Sequence, residues 1–340
     1  MTGERERRVW ERWCRALLPY ALAVATIVAF LLAVSPASFA QAVSRFDRRW
    51  ALPVAGLCLL YYTGQGVRWQ PLLRAVGIRL PLRDTVLLNL AGQSTGLLPG
   101  GELTRAVLVS KVAGAEVGAA VATITVQELV YSVIIIGAAV PGALQHRFAA
   151  IGVVMAFAGI VAVTVILTVQ PVFDVVLRGV RRVPLLSRAA DDIAELQRET
   201  VMLLHRWDTL TWSGISVLQA IVTITMFWLV VHAIDPGALS WPDAAFVYAV
   251  GHIAGALALG PGGLGGFEAA TIGMLVGVGV PFGVAVTGSL LQRVADKGLA
   301  TIFGFLAYLV CRRRFPLQET QIVRHQERRR RPKSAQATSR

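Results

Sequence analysis

Long apolar stretches alternate with short polar connections along most of this chain. Uninterrupted apolar segments cover residues 17–34, 51–67, 117–140, 149–169, 211–234 and 284–310. Each approaches the roughly 20 residues with which a helix crosses the hydrocarbon core of a bilayer. The pattern therefore predicts an all-α polytopic membrane protein with about six full transmembrane helices.

Two further apolar stretches, residues 85–112 and 244–280, are broken near their middles by glycine-rich sequence. The breaks read LPGG at 98–101 and GPGG at 260–263. The flanks of each break are too short for a full crossing. We therefore expect two re-entrant Pro-Gly-Gly hairpins, whose irregular backbone is covered by protein or lines a wet cavity.

The two broken stretches belong to a repeated unit. Gly118, Ala120, Val121 and Gln127 match Gly283, Ala285, Val286 and Gln292 at a constant spacing of 165, and the Pro-Gly-Gly sequences lie 162 apart. Matches in a fixed order indicate a duplication, with repeat one at about 84–140 and repeat two at about 243–310. Breaks at membrane depth in both halves are typical of a transporter-type binding site.

Composition supports the membrane interpretation. The chain is 55% hydrophobic and 16% charged, with a formal net charge of +13, whereas soluble domains carry about a quarter charged residues. Lys and Arg cluster at the ends of apolar segments, as topology signals do, so we predict no nucleic-acid partner. The three cysteines lie far apart and predict neither a disulfide framework nor a metal site.

The distribution of arginine predicts the side of each connection. Arginine-rich parts are residues 1–16, 68–83, 178–206 and 312–331, whereas 141–148 and 235–243 carry few positive charges. Six crossings with both termini in the cytoplasm satisfy this bias, and the connection 35–50 fits it least well. Under this topology the hairpins enter from opposite sides, so the repeats are inverted. We expect a plasma-membrane location.

The remaining parts of the chain are polar. Residues 1–16 form a basic N-terminus, and 17–311 form the membrane domain. Helical spacing within 171–209 predicts an amphipathic segment on the cytoplasmic face, and 312–340 read as a disordered basic tail. A cleaved signal peptide, with a small-residue site at 38–40, is the alternative for the first apolar segment.

Enzymatic motifs are scarce. The sequence shows neither a Walker-type glycine loop nor a Cys/His cluster, so we predict no cofactor and no metal. His252 reads as a packed histidine, and Gly251 and Gly255 beside it form a small-xxx-small packing face. The sequence therefore favours a transporter over a covalent enzyme.

Charged residues follow both breaks, and such residues are costly inside a membrane. Glu102 and Arg105 follow the first break, and Glu268 follows the second. Glu102 suits the first turn of a helix, but a cation there is disfavoured. Arg105 is therefore expected to bind an anionic headgroup, with snorkelling to the interface as the alternative.

Glu128 and Arg293 occupy equivalent positions of the two repeats, each directly after a glutamine. Their opposite charges predict an ion pair across the repeats or two poles of a polar cavity. Local partners are the alternative: Asp296 for Arg293, and Tyr131 or Gln127 for Glu128.

Glycines without a Cβ let backbone approach a ligand closely. We expect this of Gly100, Gly101, Gly262 and Gly263, so that alanine there changes abundance modestly and activity strongly. Tight helix packing is the alternative.

These residues resemble a known family. LPGGELTR at 98–105, with Asn89 before it and Glu128 after it, is similar to the first signature of the lysylphosphatidylglycerol synthase transmembrane-region family. PGGLGGFE at 261–268, followed by Arg293, resembles its second signature. The resemblance covers roughly residues 15–311 and extends to the membrane region of the multiple peptide resistance factor. It implies a flippase-like protein that lacks the aminoacyl-transfer domain.

One departure concerns the headgroup. The first repeat of the family often reads Glu-Arg, whereas here Leu129 follows Glu128. This departure leaves the identity of the headgroup open. Together, the charged breaks and the resemblance predict translocation of a phosphate-bearing lipid, either an aminoacylated anionic phospholipid or a polyprenyl-linked glycan. A homo-oligomer is compatible with this prediction. The alternatives are a membrane-embedded transferase acting on a lipid-linked sugar and a scaffold that recruits partners through its tail. The predicted substrate-binding residues are Asn89, Pro99, Gly100, Gly101, Glu102, Arg105, Glu128, Pro261, Gly262, Gly263, Glu268 and Arg293.

Overall fold

The computed structural model describes residues 44–96, 101–146, 149–182, 190–204, 214–257, 263 and 265–315. The regular elements in these ranges are helical, as predicted. The α-helices are α1 (Ala51–Ala75), α2 (Leu82–Gly92), α3 (Thr104–Ala113), α4 (Val117–Ala143), α5 (Ala149–Thr168), α6 (Gln170–Arg182), α7 (Ala190–Leu204), α8 (Gly214–His232), α9 (Trp241–Leu257), α10 (Gly266–Gly277), α11 (Phe282–Arg293) and α12 (Leu299–Arg314). The predicted first crossing, the basic N-terminus and the tail from 316 onward lie outside the described residues.

Several of these helices are long and apolar enough to cross a membrane. Within the described ranges they are α4, α8 and the continuous helix Phe282–Arg314, which joins α11 to α12 through a π-helical turn. The apolar part of α5 and the start of α6, bent by 84°, would form a fourth span. The chain therefore has the helices of a membrane-spanning protein.

At one end of the helical bundle, here called the Asp84 end, the helices lead into connections that are predicted to be cytoplasmic. Arg314 at the end of α12 pairs with Asp84 at the start of α2, at 2.8 Å. An apolar cluster at this end joins the last turns of α1 to α3, α7 and α12 through buried Leu73, Val109, Leu203 and Cys311. The amphipathic segment thus packs here through α7.

The opposite end, here called the Asp243 end, brings the two arginine-poor connections together. His146 after α4 lies 2.8 Å from the carboxylate of Asp243 on α9. The Asp47 amide donates to the carbonyl of Ala233 at 2.8 Å, so the described part of the 35–50 connection lies at this end despite its arginines. The connections that six crossings place on one side are therefore neighbours.

The two helices that flank each break contact each other. Helices α2 and α3 pack against each other across the first break, and α9 and α10 do so across the second. The open side of the α2–α3 pair lies at the Asp84 end, since Val109 clusters with Ile78. The open side of the α9–α10 pair lies at the Asp243 end, since Val280 clusters with Leu239. The open sides of the two helix pairs therefore lie at different ends of the described bundle.

One connection is shorter than predicted. The sequence predicts an arginine-rich loop from Arg68, yet α1 continues to Ala75 and buries the Arg68 side chain. Its guanidinium donates to the carbonyl of Gln127 at 2.8 Å and also contacts the Ser216 hydroxyl. Arg68 thus joins α1, α4 and α8 inside the bundle instead of marking a membrane side.

Candidate functional site

The first break is held by contacts between its two flanks. Thr95, in a 3-10 turn after α2, donates to the carbonyl of Gly101 at 3.1 Å and bonds the Thr104 hydroxyl at 2.7 Å. A Cβ on Gly92 would lie 2.7 Å from the Cα of Arg105. The lack of a side chain at Gly92 therefore lets α3 approach α2 and sets the position of Arg105.

Arg105 points into the protein from the start of α3. Only 2% of the residue is exposed. One guanidinium nitrogen donates to Asn89 at 3.0 Å and to Gln127 at 3.1 Å, and another donates to Glu128 at 3.1 Å. The guanidinium carbon also lies 5.3 Å from the centre of the Trp69 ring. The snorkelling alternative is therefore wrong for Arg105.

The second break uses glycine to turn the chain. Gly263 and Gly265 have φ of +71° and +85°, a conformation that side chains with a Cβ rarely adopt. Helix α10 then begins at Gly266, and the Glu268 carboxylate accepts from the Gly265 amide at 2.7 Å. The acidic residue after the second break is therefore a helix cap.

Glu268 has a second partner. Its other carboxylate oxygen accepts from Nε of Arg293 at 2.5 Å, and Nη2 of Arg293 donates to the carbonyl of Gly263 at 3.3 Å. The Arg293 guanidinium also lies 5.1 Å from the centre of the Phe267 ring. One arginine of α11 thus fastens both the second break and the helix that follows it.

The ion pairs differ from the pair predicted between Glu128 and Arg293. Glu128 pairs with Arg105, and Arg293 pairs with Glu268, so each half carries its own pair. The local alternative for Arg293 is also wrong, because Asp296 accepts from the hydroxyl of Tyr62 at 2.7 Å. The two charges are exchanged between the halves. In the first half the arginine lies on the helix after the break and the glutamate on the next helix, whereas in the second half the glutamate lies on the helix after the break and the arginine on the next helix.

Both ion pairs adjoin one cavity of about 470 Å³. Residues of α1, α3, α4, α9, α10 and α11 line it together with both breaks. Its charged lining residues are Arg105, Glu128, Arg293, Asp296 and Lys297. Glu128 and Arg293 therefore lie on the wall of the same polar cavity, which is the second of the two arrangements expected for them.

A π-helical turn supplies two of these charges. Asp296 and Lys297 lie in the turn Val294–Gly298, inside the continuous helix Phe282–Arg314. Such turns widen a helix by one residue and are frequent at functional sites. The sequence offered no periodicity signal for this turn, so Lys297 was missed as a lining residue.

The predicted site residues fall into three groups. Gly101, Arg105, Glu128, Gly263 and Arg293 line the cavity. Asn89 and Glu268 lie behind it as buried partners of the two arginines. Pro99, Gly100, Pro261, Gly262 and the Glu102 side chain are outside the described part of the structure.

Other lining residues are not among the predicted substrate-binding residues. They include Tyr61, Tyr62, Gln65, Gln93, His252 and Gln292. His252 packs on the ring of Tyr248 and lies 3.4 Å from the Ser132 hydroxyl. For Gln292 the sequence does contain a signal, because the repeat matches Gln292 to Gln127 directly before the charged residues Arg293 and Glu128.

The glycines of the breaks are tightly packed where the structure describes them. A Cβ on Gly101 would overlap the carbonyl oxygen of Thr95, and a Cβ on Gly263 would lie 2.7 Å from the carbonyl oxygen of Gly255. The packing alternative therefore fits Gly101 and Gly263 better, and alanine at these two positions is expected to lower stability together with activity. On α9, Gly251 and Gly255 face α10, as the small-xxx-small pattern predicted.

A comparison with known protein families identifies the family of this chain. The family described as Lysylphosphatidylglycerol synthase TM region matches residues 18–304. The chain belongs to this family. The match covers both breaks, both ion pairs and the cavity between them. Membership indicates a membrane protein with a lipid-related function. Among curated individual proteins, none matches the chain significantly.

Proposed function

We propose that this protein moves a phosphate-bearing lipid between the leaflets of the plasma membrane. One observation carries the proposal: each half of an apolar helical protein places one arginine–carboxylate pair at the same polar cavity. Charged groups inside a membrane are costly and mark substrate or ion pathways. A headgroup crosses through the cavity, while its acyl or prenyl chains stay in the bilayer.

The arrangement of the breaks supports an inverted-repeat mechanism. The α2–α3 pair opens at the Asp84 end and the α9–α10 pair at the Asp243 end. We infer two re-entrant hairpins within six crossings, with the Asp84 end and both termini in the cytoplasm. Each hairpin then gates the cavity from one leaflet, and rocking of one repeat against the other gives alternating access.

The two pairs divide the headgroup's charges between them. Arg105 and Arg293 are fixed by their partners before a lipid arrives, so a phosphate competes with Glu128 or Glu268 for guanidinium hydrogen bonds. Side-chain exposure of Glu128 is 35%, against 2% for Arg105. Glu128 is therefore the accessible carboxylate, able to release Arg105 and to hold a cationic part of the same headgroup.

A reconstituted leaflet-exchange assay with fluorescent phospholipids tests the proposal. Arg105→Gln and Arg293→Gln each keep a hydrogen-bonding side chain but lose the charge. We expect exchange to fall at least about tenfold in either variant, since a charge-assisted hydrogen bond to phosphate contributes about 1.5–3 kcal/mol. Arg198→Gln, at an exposed position of α7, is the control and keeps the parental rate. Stable Arg105 and Arg293 variants that exchange lipid normally would contradict the proposal.

The same assay separates the two rival functions. A transferase changes the mass of its lipid, whereas translocation leaves the lipid chemically unchanged on both sides. If the protein is a scaffold that recruits partners through its basic tail, a chain ending at Phe315 should lose partner recruitment. If it translocates lipid, the same chain should largely keep lipid exchange. We place the truncation there because Arg314 pairs with Asp84, and an earlier end would remove a structural contact as well.

A further inference from the structure

Gln292 is the unusual side chain of the cavity wall. The residue lines the cavity, and only 1% of it is exposed. Neither its amide oxygen nor its amide nitrogen has a hydrogen-bond partner among the described residues. A buried amide without partners destabilises a protein by an amount that natural structures rarely tolerate without a reason.

The equivalent glutamine of the first repeat is fully engaged. Gln127 donates to the carbonyl of Gln65 at 2.8 Å, and its oxygen accepts from Arg105 at 3.1 Å. The sequence repeat predicts the same environment for both glutamines, but only Gln127 has a structural task. Gln292 therefore has a donor and an acceptor that the fold itself does not use.

The ion pairs of the wall already have protein partners, and the Nε of Arg105 is the one further buried polar atom among the described wall residues that lacks a partner. Arg105 bonds Glu128, Arg293 bonds Glu268, and Asp296 accepts from Tyr62. A ligand that contacts them must compete for these bonds. A ligand group at Gln292 gains hydrogen bonds without displacing any described partner.

The chemistry of the amide restricts the ligand group. A glutamine side chain presents an acceptor oxygen beside a donor nitrogen. Phosphate oxygens act as acceptors only, so a phosphate would leave the Gln292 oxygen unpaired. Two neighbouring hydroxyls satisfy both atoms, because one donates to the oxygen while the other accepts from the nitrogen. We propose that Gln292 binds hydroxyls of the lipid headgroup and so distinguishes a headgroup with two neighbouring hydroxyls from one without them. This inference rests on the proposed lipid translocation.

Binding of two matched short-chain lipids to the purified full chain tests the inference. Phosphatidylglycerol and phosphatidylpropanol have the same charge and the same headgroup carbon skeleton, and only the first carries headgroup hydroxyls. We expect the parental protein to bind phosphatidylglycerol about tenfold more tightly, as two hydrogen bonds to a buried amide allow. Gln292→Met should bind both lipids equally, at the parental affinity for phosphatidylpropanol.

Gln219→Met is the matched control. Gln219 is also buried with an unpartnered amide oxygen, but it is absent from the cavity wall. This variant should keep the preference for phosphatidylglycerol. Gln292→Met should melt no lower than the parental protein, because it removes an unsatisfied amide. Large destabilisation by this variant would indicate a structural task and overturn the inference.

The remaining outcomes separate this inference from the proposed function. A parental protein without preference, or a Gln292→Met variant that retains it, overturns the assignment of Gln292 even if lipid exchange continues. A Gln292-dependent preference without any leaflet exchange overturns the translocation proposal and leaves the hydroxyl contact in place. Soluble glycerophosphoglycerol that competes as well as the lipid would overturn the lipid source of the hydroxyls.

Discussion

Arg105 donates to Glu128 at 3.1 Å, and this bond makes the two residues the ion pair of the first half. The second half reaches the same result with Glu268 on α10 and Arg293 on α11. The helix after the break therefore carries the arginine in the first repeat and the glutamate in the second. Each half thus pairs the arginine that it contributes to the cavity with a carboxylate of its own.

A double-mutant cycle should locate the coupling within each half. We expect Arg105→Gln and Glu128→Gln to show a coupling energy of about 1 kcal/mol, because contacting charges interact directly. Glu128→Gln and Arg293→Gln should be additive within about 0.5 kcal/mol. The measurement is the free energy of unfolding in mixed micelles. Stronger coupling of Glu128 with Arg293 than with Arg105 would contradict the observed pairing.

Two variants of Glu268 should separate its capping bond from its ion pair. Glu268→Gln keeps an oxygen for the Gly265 amide and loses the charge, whereas Glu268→Ala loses both. We expect the alanine variant to be less stable by a further ~1 kcal/mol, the usual contribution of a helix cap. Thermal unfolding in detergent measures this difference. Equal stability of the two variants would show that Glu268 contributes through its charge alone.

Gly92→Ala should be strongly destabilising, because its methyl group would lie 2.7 Å from the Cα of Arg105. We expect a loss of about 1–3 kcal/mol, as overpacking typically causes. Gly137→Ala is the control within a helix, since a Cβ there meets nothing within 4 Å. Its higher helix propensity should leave stability unchanged or raised by up to about 1 kcal/mol. Similar stabilities for both variants would argue against close packing of α2 on α3.

Cysteine labelling tests the orientation of the two ends. Cys58 and Cys311 are buried, so replacing Cys14 by Ser gives a suitable background. We expect Gln145→Cys to react with an impermeant maleimide in intact cells, and Arg83→Cys and Arg198→Cys to react only after permeabilisation. All three positions are exposed. Labelling of Arg198→Cys in intact cells would exclude the proposed orientation of the hairpins.

Helix positions and chain breaks could be predicted because their causes are local. Proline and repeated glycine disfavour a helix through their own backbone, and the apolar length of 117–140 is visible in the sequence. The partner of Glu128 could not be predicted, because α3 and α4 must first pack before Arg105 reaches it. The different surroundings of Gln127 and Gln292 could not be predicted either, although their sequence contexts match. Gln127 bonds Arg105 through a tertiary contact, and Gln292 has no such contact among the described residues. Burial of Arg68 was missed because an arginine near the end of an apolar segment usually lies at the interface.

The π-helical turn Val294–Gly298 also fixes how the two parts of one long helix are rotated about their common axis. Deleting one residue there would restore an α-helix and rotate everything after it by about 100°. Gly304 would then leave its position against the backbone of Gln93 and Ser94, and Arg314 would turn away from Asp84. The extra residue thus sets the rotation of α12 relative to α11. Without it, the long helix could keep either the side chains of the cavity wall or the contacts of α12 in place, but not both.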